Sequence, residues 1–306
     1  EAGVSLQTSR GTDGAVKELD YLGKAVDNLG RSTSITGTRN VIDGHLKTAQ
    51  VDKAATAADL LNFSKTAQSS GKAVSDEWLR DVYPTLAFGM GGSRTGTSVA
   101  TAMNNMDLSR ATKEALIEQQ ELGLRTGLTL GKEKSGRRVV KNKGELVDSE
   151  LYNRNNKEWN DKYLMPKLVE KGYLPQGYLQ GDYSQELTAE QRGKVNRATG
   201  SFSSDRTAAN LFTIYNMDAA QIASNKKRAG NALGASSVGH DQTRDPSIAV
   251  EAMFSQLKSS FGLLAEPAVA KAAEGLAAVA AGIAKINAVA AEMPETMKVA
   301  SGVAAG

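Results

Sequence analysis

The chain has 306 residues, enough for one large domain or two of medium size. Hydrophobic residues make up 40 % and charged residues 23 % of it, an ordinary composition for a globular protein. The net charge of +3 is too small for a protein that binds nucleic acid through a broad basic face. The absence of Cys excludes disulfides, thiolate zinc sites and cysteine nucleophiles.

The core has to be built largely from Ala, Leu and Val, because aromatic residues are only 5 % of the chain. Small side chains bury little area each, at roughly 25 cal/mol per Å². We therefore expect some dependence on neighbouring copies or domains. The stretch from Glu1 to Arg10 lacks the basic and apolar regions of a signal peptide, and the two ends of the chain suggest a fragment of something longer.

Apolar spacing predicts helices in the first third of the chain. An amphipathic helix is expected from Thr12 to Leu29, with Gly30 just past its end. Ser32–Thr38 is predicted to be a polar loop, and a second helix is predicted from Asp43 to Ala67. The polar loop is thus expected to separate two long helices.

Capping residues and prolines predict shorter helices next. Ser75 can cap a helix through Val82, whereas Pro84 disfavours helix at Tyr83. Glycines from 89 to 92 then interrupt the chain before a helix over residues 96–106.

Ser109 is the predicted cap of a helix from Arg110 to about Leu122. Farther along, residues 151–171 form another predicted helix, ended by Gly172. A loop over residues 177–184 bears tyrosines.

Residues 132–150 differ from their surroundings. Val139 and Val140 on one side, and Leu146 and Val147 on the other, flank a polar run that contains a glycine. This pattern predicts a small β-hairpin near residues 137–148, with its turn at 141–145. An isolated hairpin is only marginally stable, so it should lean on helices.

The next helices carry clear start signals. Thr188 and Gln191 are spaced as a capping box for a helix to about Ala198. Ser204 or Asp205 can cap a longer helix that runs through about residue 225.

The composition changes towards the end of the chain. Residues 229–244 are rich in Gly, Ser and Asn and form the predicted hinge, and Asp245-Pro246 is a strong helix start. Ala accounts for 16 of the 42 residues from Ala265 to Gly306. The longest uncharged apolar run there, Leu276–Ala284, is far shorter than the ~18 to 20 residues that a membrane span needs.

The fold class expected from these patterns is mainly α, a multi-helix domain with a small β-hairpin and Ala-rich C-terminal helices. The predicted division is an N-terminal helix and linker (1–44), a helical domain with the hairpin inserted (45–228), the hinge (229–244) and an Ala-rich helical segment (245–306). Because Ala buries little area, we expect lower hydrogen-exchange protection after Ala265 than before Arg228.

No residue is assigned a catalytic, cofactor-binding or metal-ligating role. His45 and His240 are far apart in sequence and lie outside any zinc motif, so both are predicted to be surface or loop histidines. The Gly91–Thr97 run resembles a phosphate loop, but it lacks the Lys and is expected to be a flexible connection between helices. Gly127–Lys132 has a Gly-Lys pair at the wrong spacing for such a loop.

Charged clusters also receive structural interpretations. Three glutamates lie on related faces of one predicted helix, as expected of a solvated surface: Glu114, Glu118 and Glu121. Six basic residues cluster at the hairpin: Lys132, Lys134, Arg137, Arg138, Lys141 and Lys143. With no interleaved aromatic residue for base stacking, we expect a solvated or protein-contacting tip, and phosphate contact is the alternative. The Lys226–Arg228 cluster suits the end of a helix.

Three segments together resemble phage tail tape measure proteins, in the region just before their hydrophobic segments. The first is Trp78–Pro84 followed by the glycines at 89–92, and the second is Ser201–Ala209. The third runs from Ala252 through Phe261 and Pro267 into Ala-rich sequence up to Glu295. The likeness covers roughly residues 47–306 with gaps and rests on the order and spacing of the segments.

The resemblance implies a structural component of a phage or prophage tail. The parent protein would lie in the tail tube, set tail length and help deliver the genome across the host envelope. Implied partners are copies of itself, tail tube and tail tip proteins, tail assembly chaperones and, through the parent chain, the host inner membrane, with nucleic acid contacted at most transiently. The implied location is the virion tail, assembled in the host cytoplasm.

Two other functions stay open. Some members of the family carry peptidoglycan-cleaving domains, although the Glu-Ser dipeptide typical of many lytic transglycosylases does not occur here. A helical adaptor unrelated to phage is the third interpretation. A structural role without catalysis is the favoured expectation.

Overall fold

The computed structural model describes residues 12–51, 56–108 and 110–232. It confirms a mainly α fold with a small two-stranded antiparallel hairpin. The α-helices are α1 Thr12–Asn28, α2 Ile35–Val51, α3 Ala57–Ala67, α4 Ser69–Ala73, α5 Asp76–Asp81, α6 Tyr83–Met90, α7 Gly92–Met106, α8 Lys113–Glu121, α9 Ser149–Arg154, α10 Asn156–Trp159, α11 Met165–Glu170, α12 Ala189–Ser203, α13 Arg206–Met217 and α14 Ala219–Asn231. A π-helical turn, Asn160–Leu164, lies between α10 and α11, and a 3-10 helix spans Gln176–Gln180.

The first helix ends as its sequence predicts. Helix α1 stops at Asn28, and Gly30 follows with a φ of +70°. Leu22 and Val26 of the predicted stripe are buried, whereas Val16 is 42 % exposed. The buried half of the stripe packs against α3.

The predicted long helix over residues 43–67 is wrong. Helix α2 begins earlier, at Ile35, so half of the predicted polar loop is helical. It ends at Val51, and α3 begins at Ala57 after Thr56 accepts a hydrogen bond from the backbone N–H of Asp59. A β-conformation Thr cap starts a new helix, which apolar periodicity alone cannot distinguish from a continuous one.

The Ser75 cap is confirmed, since its side chain accepts a hydrogen bond from the backbone N–H of Trp78. The expectation that Pro84 disfavours helix at Tyr83 is wrong. Tyr83 opens α6, and Pro84 lies in the first turn, where its missing N–H has no intrahelical partner to lose. The chain bends at Val82 instead.

Helix α8 starts later than predicted. Thr112 caps it by accepting from the backbone N–H of Ala115, so Arg110 precedes the helix. Ser109 lies outside the described residues.

The expected hairpin is present, but it begins earlier in the chain than predicted, and the predicted range 137–148 covers mainly its second strand. Strand β1 is Arg125–Lys132 and strand β2 is Arg138–Leu146, so the predicted turn at 141–145 belongs to β2. The register has a bulge between Thr129 and Leu130. Leu128 packs against Ala115 and Leu116 of α8, as the marginal stability of an isolated hairpin requires.

The predicted helix over residues 151–171 is broken at Asn155 and passes through the π-helical turn before it ends ahead of Gly172. The capping box of Thr188 and Gln191 is confirmed in both of its hydrogen bonds. The tyrosine-bearing loop is partly the 3-10 helix Gln176–Gln180.

Asp205 caps α13, and Ser204 adopts a left-handed conformation before it. The predicted single helix through residue 225 is two helices, because the backbone turns at Asp218 between α13 and α14.

One large core cluster extends from α1 to α14, with Trp78, Tyr152, Trp159 and Phe212 among its largest buried side chains. Helix α14 packs against α2, α5 and α6, so the last described helix contacts elements near the start of the chain. The predicted division between residues 1–44 and 45–228 falls inside helix α2. Helix α1 contributes to the same core as the helices that follow.

Two predicted segments are not covered. The hinge beyond residue 232 and the Ala-rich segment 245–306 lie outside the described residues, whereas residues 229–231 are the end of α14. Among the helices that are described, none has both the length and the apolar character to cross a membrane.

Candidate functional site

His45 is buried, so its predicted surface position is wrong. It lies on α2 next to Leu46, with 6 % of its surface exposed. Its Nε2 atom is 3.6 Å from Oε2 of the buried Glu18 on α1. The same carboxylate oxygen accepts a hydrogen bond from the backbone N–H of Ala57 at 2.7 Å, so Glu18 joins the first three helices. His240 lies outside the described residues.

A small open recess, with a volume of about 20 Å³, lies beside His45. Tyr83 and Asp59 are among its lining residues, together with Asn40 and Thr48. Burial, assisted by the Asp59 charge, raises the pKa of Tyr83 well above its usual value. The described part of the chain contains no cluster of three or more His, Asp or Glu side chains that could hold a metal ion.

The Gly91–Thr97 run is helical from Gly92 onward, so the prediction of a flexible connection is wrong. A Cβ on Gly92 would lie 1.9 Å from the backbone oxygen of Asp59. One on Gly96 would lie 2.1 Å from Oγ1 of Thr66. The two glycines, four residues apart on one helical face, let α7 approach the backbone of α3. The run therefore serves helix packing.

The second glycine candidate, Gly127–Lys132, lies in β1. Gly127 faces Gly144 of β2, and both have positive φ values. A Cβ on Gly144 would lie 2.2 Å from the backbone oxygen of Thr126. The two strands are paired at close range here, and residues 127–132 form no loop that could surround a phosphate.

The three glutamates of α8 do not face a common cleft. Glu114 and Glu121 are exposed, and Glu118 is half-buried with Oε1 4.0 Å from Nζ of Lys171. The predicted solvated face is therefore confirmed for two of them.

The Lys226–Arg228 cluster lies in the last part of α14, as predicted, with Arg228 in the last turn. Nζ of Lys226 is 3.6 Å from the Asp81 carboxylate. Basic side chains here also complement the helix dipole.

The basic hairpin tip, defined here as residues 132–143, is the most charged surface of the hairpin. All six of its basic side chains are exposed: Lys132, Lys134, Arg137, Arg138, Lys141 and Lys143. The turn joins β1 and β2 at residues 133–137, so four of the cations lie in it or next to it, whereas Lys141 and Lys143 lie farther along β2.

Arg125 fixes the hairpin to the helices from inside, and sequence reasoning did not find it. It is 1 % exposed. Its guanidinium donates to Oε1 of Gln119 at 2.8 Å, to the backbone oxygen of Gly144 at 3.1 Å and to that of Met106. Gln119 in turn donates to the backbone oxygen of Phe202 at 2.7 Å. Burial lowers the pKa of Arg125, and the charge of Asp107 opposes that shift.

A second buried network joins distant parts of the chain at Asn156. Its Oδ1 accepts from Nε1 of Trp78 at 2.9 Å and from the hydroxyl of Tyr215 at 2.5 Å. All three side chains belong to or adjoin the core cluster. Nothing in the local sequence around residue 156 indicates this role, because both partners come from other helices.

Comparison of the chain with protein-family models, with curated proteins and with solved structures gives no match.

Proposed function

We propose that this chain is a helical structural segment of a phage tail tape measure protein, acting in the virion tail without a catalytic step of its own. The observation that supports this most directly is that the first segment carrying the resemblance and the helix that the second segment starts meet at one buried amide in the core.

The first segment supplies aromatic packing. Trp78 is fully buried, and its ring lies 5.7 Å from that of Phe63 and 6.5 Å from that of Tyr83. The glycines that follow allow the close contact of α7 with α3. The conspicuous residues of this segment therefore have packing roles.

The second segment starts a core helix. Asp205 accepts hydrogen bonds from the backbone N–H groups of Thr207 and Ala208 and so caps α13. Phe202 packs edge-on against Phe212 of that helix at 5.1 Å.

The first segment and the helix that the second segment starts meet through Asn156. Trp78 comes from the first segment, Tyr215 lies on the helix that the second segment starts, and both donate to the same amide oxygen. The described segments that carry the likeness thus contain or lead into contacts between helices, and this supports a structural role.

The proposed partners follow from the same role: further copies of the chain, tail tube and tail tip proteins, tail assembly chaperones and, through the parent chain, the host inner membrane. The frequent breaks between the described helices fit a packed helical body better than one long rod. A continuous helix would add about 1.5 Å of length per residue.

The test uses a phage or prophage that encodes the chain. We expect peptides from it in purified tails, detected by mass spectrometry. An in-frame deletion of residues 12–232 should shorten the tails, by at most about 1.5 Å per removed residue. A matched deletion in a minor tail-fibre gene is the control and should leave length unchanged. Tails that lack the peptides, or keep their length after the deletion, would overturn the proposal.

The hydrolase alternative has a separate test. The purified chain is incubated with peptidoglycan, with a known muramidase as the positive control. We expect no release of soluble fragments. Release that is abolished by Glu118→Gln would establish the enzymatic role instead.

A further inference from the structure

We propose that the basic hairpin tip binds the phosphate backbone of double-stranded DNA. The inference rests on the hairpin itself and is independent of the proposed tail function.

The first argument is the distribution of charge. Residues 132–145 contain six basic and two acidic residues, a net charge of +4, whereas the whole chain has 37 basic and 34 acidic residues. The remaining sequence therefore has 31 basic and 32 acidic residues. The small net charge of the chain hides a local concentration of cations, and phosphate binding depends on the local concentration.

The second argument is that the fold compensates these cations only weakly, the charge of Arg137 acting on the exposed Glu114. Within the described ranges, none of the six makes an ion pair, although many other basic residues do. Lys132 and Arg138 are direct cross-strand partners. Like charges directly opposite each other destabilise a strand pair, so the hairpin bears an electrostatic cost that an anionic ligand would relieve.

The third argument is rigid presentation. The buried Arg125 ties β2 to α7 and α8, and Leu128 packs on α8, so the base of the hairpin is fixed. Ordering a flexible segment on binding costs free energy, and a fixed hairpin avoids most of it. The six charges are thus held together on one preformed ribbon.

The fourth argument distinguishes duplex DNA from other nucleic acids. The major groove of B-form DNA admits a two-stranded β-ribbon, whereas that of an A-form RNA duplex is too narrow. The hairpin has no aromatic residue between Arg125 and Leu146 on which unpaired bases could stack. Backbone contact to a duplex, without sequence preference, is the mode that remains.

The experiment measures fluorescence anisotropy of a labelled DNA duplex of arbitrary sequence, about three helical turns long. It is titrated with the full 306-residue chain between about 50 and 200 mM NaCl. The tip variant combines Lys132→Gln, Lys134→Gln and Arg138→Gln. The matched control removes three exposed cations from scattered sites by Lys65→Gln, Arg94→Gln and Lys227→Gln.

We expect salt-dependent binding of the unmodified chain and of the control. The tip variant should bind more weakly by at least roughly tenfold, and the slope of log K against log salt should become shallower by about 2.7, since each lost phosphate contact contributes about 0.9. Circular dichroism should show both variants folded, because every replaced side chain is exposed.

Three results would overturn the proposal. One is the absence of duplex binding at the lowest salt. Another is an equal loss in the tip variant and the control, which would reveal only general charge attraction. The third is tighter binding of the tip to an RNA duplex, to polyglutamate or to vesicles containing phosphatidylserine than to the DNA duplex.

Discussion

Asn156 shows how a single buried amide can hold two parts of the chain together. Its Oδ1 is the acceptor for Nε1 of Trp78 and for the hydroxyl of Tyr215. The Trp78 nitrogen also lies 3.3 Å from the Tyr215 oxygen. Removing an acceptor and leaving its buried donor unpaired lowers the free energy of unfolding more than removing the donor and the hydrogen bond together.

We therefore expect Asn156→Ala to lower the free energy of unfolding by about 2 to 4 kcal/mol. Tyr215→Phe, which removes the donor itself, should cost only about 1 kcal/mol. Urea unfolding followed by circular dichroism measures both. Equal losses for the two variants would mean that the shared acceptor has no special role.

Lys157 is a buried charge whose partner is half-exposed. Its side chain is 8 % exposed, and that of Asp161 is 38 % exposed. Burial lowers the pKa of Lys157, and the Asp161 carboxylate opposes this shift. The charged form of Lys157 is therefore disfavoured in the folded protein. This lowers the free energy of unfolding at pH values below the folded-state pKa, and the loss is recovered as pH rises from there towards the unfolded-state pKa.

Asp161→Asn should destabilise the protein by about 1 kcal/mol or more, since it leaves Lys157 charged without its partner. The difference in free energy of unfolding between this variant and the unmodified protein should shrink as pH is raised above neutrality, because the unpaired Lys157 loses its proton more easily. Lys157→Met should be neutral or slightly stabilising. Unfolding curves at a series of pH values test this, and a deficit that grows with pH would contradict it.

At the scale of elements, the contact of α3 with α7 depends on missing side chains. Gly92 and Gly96 face Asp59 and Thr66 at distances that no Cβ could occupy. Oγ1 of Thr66 also donates to the backbone oxygen of Ser93 at 3.0 Å, which fixes the register of the two helices. Glycine costs about 1 kcal/mol of helix propensity relative to Ala, and the close packing offsets that cost.

Gly96→Ala should therefore destabilise by about 2 to 3 kcal/mol, even though Ala is the better helix former. Gly193→Ala in α12 is the control. A methyl group on Gly193 would meet no side chain and no other element within 4 Å, so this substitution should stabilise by about 0.5 to 1 kcal/mol. Thermal unfolding compares the two. A change of stability in the same direction for both variants would show that helix propensity, and not packing, determines the effect of the substitution at Gly96.

At the scale of the molecule, the principal core extends from α1 to α14, and the hairpin has a smaller cluster of its own with α8. Ile222 of α14 is buried in the principal core, and Asn225 donates to Oγ1 of Thr85 at 2.9 Å. The end of the described chain thus stabilises helices near its start, and the smaller cluster around Leu128 is separate.

Ile222→Ala should lower amide protection in α2 and α5 as well as in α14, by a free energy of about 2 to 4 kcal/mol. Leu128→Ala should lower protection mainly in β1, β2 and α8. Hydrogen exchange followed by mass spectrometry resolves the two patterns. Loss confined to α14 in the first variant would mean that the helical body unfolds in independent parts.

Features that depend on near neighbours can be predicted from the sequence. The mainly α class follows from apolar periodicity, and the caps at Ser75 and Thr188 follow from side chains that bond to amides three residues away. A hairpin near residue 140 is also predictable, but its first strand is not, because Arg125–Lys132 places its two leucines among glycines and polar residues, as a loop would. The likeness to tape measure proteins comes from the order of segments, and the function it implies stays a proposal.

Features that depend on distant partners required the tertiary structure. It places His45 beside Glu18 inside the protein and pairs Lys132 with Arg138. The physical reason is common to these cases. Burial and strand register are set by contacts between residues far apart in the chain, and a local pattern of residues does not show which surface will cover it.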